Sequence, residues 1–417
     1  MRKFAIAGLL IIFCLPKQAQ RSKSDIHTVD IPQYRFMDYN YHAIQVPGKD
    51  STRLNRFFQK TDTLIETGKG AINILHIGGS HVQADMMSHK IRQNLDMMNG
   101  EFMTPRGFIF PYSVAKTNNP SNYRVRYSGK WSSVRNVQAN RKMPLGVSGI
   151  AVYTQDPLAT INISLNTDES RRWEFTRLRL LGYEQDGSDG VTPVLYHHND
   201  TLKAYFDVDS KTYLFDMPEP VDSFIIGFLQ TGRVARTFVV HGFIPEKETP
   251  GIMYHAIGVN GASVPSYLGS EYFEEELHLL KPDLMIFGIG INDAASRDFT
   301  ETSFYNNYNA LIEKILRVNP DCAFIFITNN DSFRRISRNN YRVNPNGANA
   351  RKVFYRLAEE HQAGVFDLFS LMGGLSSMRQ WQTAGLARVD KVHFTKTGYE
   401  LIGDMLYNAL VEYYQSR

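Results

Sequence analysis

A serine becomes a nucleophile only when a base takes its proton, and a neutral imidazole suits that task near neutral pH. Ser80 follows an apolar run over 71–77 and the pair Gly78-Gly79, and it opens a stretch of helical character. It therefore stands where free backbone N–H groups favour developing negative charge. Read alone, Ser80 is first of all a helix N-cap. Near the other end, Asp390 and His393 lie three apart, just before the last helix. One turn can gather that pair, with the carboxylate holding the ring in the useful tautomer; read alone, they are a surface acid and a packed histidine. Two further segments, Gly258-Val259-Asn260-Gly261-Ala262-Ser263 and Gly288-Ile289-Gly290-Ile291-Asn292-Asp293, offer glycine N–H groups and an amide to an oxyanion. Glycine and asparagine are also ordinary turn residues. In combination the four points are what acyl transfer through serine would require, and they are harder to read as turns and caps than each one alone.

These residues need a scaffold that brings distant segments together at strand ends. Leu54, Phe57, Phe58, Thr61, Leu64 and Ile65 recur at helical spacing, predicting a helix over 51–67 that Gly68 and Gly70 stop. The run 71–77 predicts a strand, the glycine pair a tight turn, and 81–97 a helix. The same grammar returns with strands at 284–288, 323–328 and 365–368, helices at 304–316 and 350–362, and a closing helix over 398–414 that aligns Leu401, Met405, Leu406, Ala409, Leu410 and Tyr413. Apolar strands alternating with helices imply a mainly parallel sheet covered on both faces, whose ligands collect at the strand ends. Between 106 and 250 the rhythm changes to short alternating segments such as 123–127, 160–164, 176–181 and 223–228, separated by turn residues. This predicts an inserted all-β sandwich or jelly roll.

The organisation expected is a signal segment over 1–20, an irregular lead-in over 21–50, a first α/β part over 51–105, the β insert over 106–250 and a second α/β part over 251–417. Arg2 and Lys3 followed by the apolar stretch 4–15 read as a secretory signal, too short to anchor in a bilayer. With it removed, Cys322 is the one cysteine left, so stability must come from core burial and not from disulfides. The chain carries 46 Lys and Arg against 42 Asp and Glu, and three of the cations fall in the first twenty residues. A remainder so nearly balanced argues against nucleic acid or a membrane surface as partner. An exported protein that leaves the membrane is expected, periplasmic or secreted; its oligomeric state stays open.

Gly-Gly-Ser-His, the glycine turn, Gly-x-Asn-Asp and the late Asp-x-x-His, in that order, resemble the SGNH, or GDSL-like, hydrolases. The resemblance runs over roughly 71–105 and 251–417 and implies a flavodoxin-like three-layer α/β fold. It makes Ser80 the nucleophile, His393 the base and then acid, and Asp390 the orienting carboxylate. Gly261 N–H and the Asn292 amide join the Ser80 N–H as the oxyanion hole, with Gly258 as the other candidate glycine. Gly79 stands where the family usually has aspartate, a departure that bears on turn rigidity and rate more than on reaction type. The segments 76–85, 106–112 and 258–262 look like those of exported peptidoglycan O-acetylesterases, in which a carbohydrate-binding-module-like β domain follows the serine block. That likeness implies an O-acetylated glycan, peptidoglycan, as substrate and no cofactor. Acetyl removal from another polysaccharide such as xylan, O-acetyl transfer and non-catalytic glycan binding are the alternatives.

His81, Asp85 and His89 share a helical spacing that could hold zinc, but no fourth ligand is identifiable and no metal is expected there. His81 and Asp85 are expected instead to shape the substrate groove. Trp131, Trp173 and Trp381 could stack on sugar or fill a core; Trp381 is the preferred candidate, because it precedes Asp390 in a Gly- and Ser-rich segment. His197 and His198 read as turn residues.

Overall fold

The computed structural model describes residues 21–100, 103–167, 173–185, 187, 190–232, 234–338 and 340–417. The expected signal segment, with Cys14, lies outside the described residues.

A six-stranded sheet forms the frame, in the order Ile44–Gln45, Gly364–Phe366, Ala323–Ile327, Leu284–Gly288, Ala71–Gly78, Gly251–Gly258. The first strand is antiparallel to its neighbour and the other five run parallel. Side chains alternate between the two faces, as strand geometry requires. Ile72, Ile74, Leu284 and Ile286 pack with the helices Thr52–Thr67, Met86–Asn99 and Lys396–Ser416. Leu75, Ile77, Met285 and Phe287 face the helices Phe273–Leu280, Glu301–Val318 and Asn346–Glu360. Burial on both faces is why these strands read as nearly unbroken apolar runs.

The helix Thr52–Thr67 ends at Gly68 in the left-handed conformation, as its sequence predicts. The helix expected over 81–97 is instead two helices, Ser80–Gln83 and Met86–Asn99. The break falls at Asp85, which has φ 50°. The strand Gly251–Gly258 and the hairpin Phe333–Ser337/Asn340–Val343 were not anticipated.

Between Arg124 and Glu246 the chain forms two antiparallel sheets, one of six strands and one of five. Their inner faces meet through aromatic side chains, Phe224 against both Phe175 and Phe243, and Phe228 against Phe238. This interior is continuous with one face of the parallel sheet, so the β-rich segment shares a core with the α/β frame.

The carboxyl edge of the parallel sheet carries a row of three glycines, Gly258, Gly78 and Gly288, in register across adjacent strands. A Cβ at Gly78 would lie 2.3 Å from Val82 Cγ2, and one at Gly258 would lie 2.3 Å from Gln83 N. Only bare backbone lets the short helix after Ser80 settle on the strand ends.

Candidate active site

Ser80 follows the end of the strand Ala71–Gly78 as the first residue of the helix Ser80–Gln83, where the opening N–H groups have no partner within the helix. Its Oγ is 2.8 Å from His393 Nε2. His393 Nδ1 is 3.0 Å from Asp390 Oδ2. The other carboxylate oxygen, Oδ1, accepts the backbone N–H groups of Val392 and His393, each at 2.9 Å. Burial pushes the Asp390 pKa up, but the hydrogen bonds from the His393 ring and from these two backbone N–H groups outweigh it and hold the group well below the usual carboxylate range. An ionised carboxylate facing Nδ1 favours the tautomer with its proton there, leaving Nε2 free to accept from Ser80.

The loop carrying Asp390 and His393 is held from both sides. Its ends meet in a bridge between Ala387 and Phe394, Lys391 adopts φ 57°, and Arg388 N donates to His393 O at 2.8 Å. From the segment after the strand Ala323–Ile327, Asn330 Nδ2 donates to Val392 O at 3.1 Å and Phe333 N to Lys391 O at 3.1 Å. Beyond Thr328, nothing in the residue pattern marked this segment, because buried Asn329, Asn330, Asp331 and Ser332 look like an exposed loop.

On the opposite side of Ser80, Ala262 N donates to Val259 O at 2.9 Å, closing a four-residue turn with Gly261 at φ 83°. A positive φ at the third position defines the turn type that calls for glycine there, whereas Gly258 lies within the strand end. A Cβ on Gly79 would lie 3.4 Å from Ala262 O and 3.3 Å from Asn292 Nδ2, so both the turn and the amide sit beside the residue preceding the serine. Asn292 Nδ2 spends one hydrogen on Ala262 O at 2.8 Å; an amide carries two.

Gln83 was not singled out from the sequence. It is buried, and its Oε1 accepts Asn260 N–H at 2.7 Å. Its Nε2 donates to Thr117 Oγ1 at 3.1 Å and to Asn118 O at 3.0 Å. One side chain thus ties the serine helix, the glycine turn and the segment entering the β-rich region.

The residues expected to contact substrate are corrected in two cases. Asp85 is buried and paired with two guanidiniums: Arg92 Nη2 at 3.3 Å from Oδ1, and Arg106 against Oδ2 in close contact. Asn122 Nδ2 adds a bond of 2.8 Å. The left-handed turn at position 85 breaks the helix there, and the carboxylate lies buried among these partners instead of facing a groove. Burial raises the Asp85 pKa, but Arg92 and Arg106 bring it below the usual value. Trp381 is wholly buried, donating to Met372 O at 3.1 Å and packing on Phe394 at 5.2 Å. It therefore backs the histidine loop from inside the core. Trp173 is likewise core, and Trp131 packs on Phe228 with its indole N–H on Ser128 O.

His81 is buried with its ring 5.2 Å from that of His393 and its Nδ1 2.7 Å from the Tyr399 hydroxyl. Burial first, then the neighbouring His393, lowers its pKa to about 3. A neutral ring there lines the inner wall behind the general-base candidate.

Residues 222–401 match the family of GDSL-like lipases and acylhydrolases; the matched stretch contains Asn292, Asp390 and His393, and Ser80 lies before it. The chain thus contains a domain of the GDSL-like lipase/acylhydrolase family with its hydrolase fold, and it is a carboxylic ester hydrolase by class. Among solved structures, a peptidoglycan O-acetylesterase superposes with a TM-score of 0.70 at 20% identity, covering 90% of this chain and 99% of that one. A lipase/acylhydrolase from Enterococcus faecalis aligns with a TM-score of 0.30 at 23% identity, over 39% of this chain and 77% of its own. An acetyl xylan esterase from Geobacillus stearothermophilus gives 0.29 at 21%, over 39% and 73%. No curated protein sequence matches the chain.

Proposed function

We propose that the protein is a serine acetylesterase that removes O-acetyl groups from a cell-wall glycan, peptidoglycan in the first instance. The observation that carries this reading is the chain of contacts from Ser80 Oγ through His393 to Asp390, at 2.8 and 3.0 Å. Ser80 Oγ attacks the acetyl carbonyl carbon while His393 Nε2 takes the hydroxyl proton. The carbonyl oxygen becomes an oxyanion facing the Ser80 and Gly261 N–H groups and the second Asn292 amide hydrogen. The C–O bond to the sugar then breaks, and His393 returns its proton to the departing alkoxide. A water molecule, deprotonated by the same ring, attacks the acetyl-serine, releasing acetate and restoring Ser80. The likeness to a peptidoglycan O-acetylesterase over nine-tenths of the chain supports the glycan class, and it spans the β-rich segment that we assign as an inserted carbohydrate-binding-module-like domain. We assign the site of action outside the cytoplasm, after loss of the first twenty residues.

The test is acetate release from O-acetylated peptidoglycan and, in parallel, from acetylated xylan. Faster release from peptidoglycan, abolished in Ser80→Ala, is expected. Preference for xylan overturns the substrate, and undiminished turnover by the folded Ser80→Ala protein overturns the mechanism.

A further inference from the structure

We propose that the β-rich segment carries a site for one divalent transition-metal ion of the zinc class, formed by His197, His198 and Glu219. His197 ends the strand Val191–His197 of the five-stranded sheet. Successive side chains of a strand point to opposite faces, so two adjacent histidines would ordinarily diverge. Here His198 takes φ 51°, and the reversal brings the two rings together, with centroids 4.3 Å apart and planes 61° apart.

Both rings then address a single carboxylate oxygen. His198 Nε2 lies 3.5 Å and His197 Nε2 3.9 Å from Glu219 Oε1, and the three donor atoms all fall within 4.8 Å of one another. Zinc bonds to imidazole nitrogen and carboxylate oxygen are about 2.0–2.1 Å long, which in a tetrahedron separates neighbouring donor atoms by about 3.4 Å. The arrangement observed closes on a cation by small side-chain rotations alone. Among the described residues no other group of three or more His, Cys, Asp or Glu meets this spacing.

Glu219 comes from the other sheet. It lies in the strand Thr212–Val221, between Pro218 and Pro220, where pairing with the strand Phe175–Glu184 shifts between Asp216 and Val221. Two prolines fix the backbone on either side and present the carboxylate from a stiff segment. A bound ion would join the hairpin of one sheet to a strand of the other, adding metal bonds where two imidazoles now meet a largely exposed carboxylate at 3.5 and 3.9 Å, contacts worth little in water. His198 and Glu219 are largely exposed, 75% and 62%, so an ion enters freely and water completes the fourth position. Two imidazoles and one carboxylate select zinc-like ions over calcium or magnesium, which prefer all-oxygen shells. The site does not depend on the esterase reading, because none of its residues belongs to the catalytic group.

The experiment is titration of the untagged protein with Zn2+ by calorimetry, with Co2+ absorption as an independent report of tetrahedral coordination. One equivalent is expected to bind at roughly micromolar concentration and to raise the melting temperature, with no competition from Ca2+ or Mg2+. His198→Ala and Glu219→Gln should each weaken binding by at least about tenfold and abolish the melting shift, while melting in EDTA stays as in the parent and ester hydrolysis is unchanged. Absence of saturable binding, or equal binding by parent and both variants, overturns the proposal, the histidines and glutamate then forming an ion pair only.

Discussion

Replacing Asp390 by asparagine should harm turnover more than replacing it by alanine, and the hydrogen bonds around the carboxylate say why. Oδ1 accepts two backbone N–H groups. An asparagine must place its carbonyl oxygen there, because an NH2 group facing two donors is repelled. Its NH2 then faces His393 Nδ1, which is forced to accept, and the ring proton moves to Nε2. That tautomer has no lone pair to offer Ser80. Alanine leaves the ring free to find either tautomer, with water in the vacated space, and the loss is then mainly electrostatic. A charge pair about 4 Å apart is worth about 4 kcal/mol at a protein-surface dielectric and about 1 kcal/mol in water. The Asp390 side chain is 45% exposed, so about 2 kcal/mol of imidazolium stabilisation is at stake, or roughly thirtyfold in rate. For Asp390→Asn the wrong tautomer brings the loss to about a thousandfold or more. The assay is kcat for p-nitrophenyl acetate in both variants across pH. Because the Asp390 carboxyl is held below its ordinary range, it stays ionised down through mildly acid pH and should add no ionisation of its own to the acid limb in the parent. Asp390→Asn turning over as fast as Asp390→Ala, or a parent acid limb with two ionisations, would refute the argument.

Three further perturbations separate chemistry from architecture. Asn292→Ala should lower kcat by about a hundredfold through loss of one oxyanion donor with KM little changed, as steady-state kinetics on the same ester would reveal. Gln83→Ala frees the Asn260 N–H and loosens the glycine turn, so kcat should fall by roughly tenfold to a hundredfold while the melting temperature moves little; a loss confined to KM would show that Gln83 does not position the turn. Asp85→Ala leaves Arg92 and Arg106 buried beside each other without their carboxylate, which should cost about 3–5 kcal/mol in urea unfolding, and an unchanged midpoint would contradict the burial.

The frame was legible because its strands are apolar on both faces and its helices keep their period, as with Leu54 to Ile65 and Leu401 to Tyr413. The Ser80, Asp390 and His393 grouping was legible as spacing and order, since Asp390 and His393 need only one turn and Ser80 only a strand end. What stayed hidden depended on partners distant in the chain. Asp85 shares a helical spacing with His81 and His89, and nothing local announces that its own φ of 50° turns it toward arginines at 92 and 106. Trp381 sits in a polar-looking segment, yet the space beside Phe394 is filled by its indole. Gln83 and the buried polar run 329–332 look like ordinary solvated residues until the segments they fasten are in place.

The nucleophile candidate and its base are separated by 313 positions along the chain, and the closing helix that follows the base is packed against the helix that follows the serine. A product ending before residue 390 therefore holds the Ser80 hydroxyl without the imidazole proposed to deprotonate it. If Ser80 and His393 act as proposed, ester hydrolysis requires that residues 390–393 be made and docked, and restored turnover would then report that these two distant segments have come together.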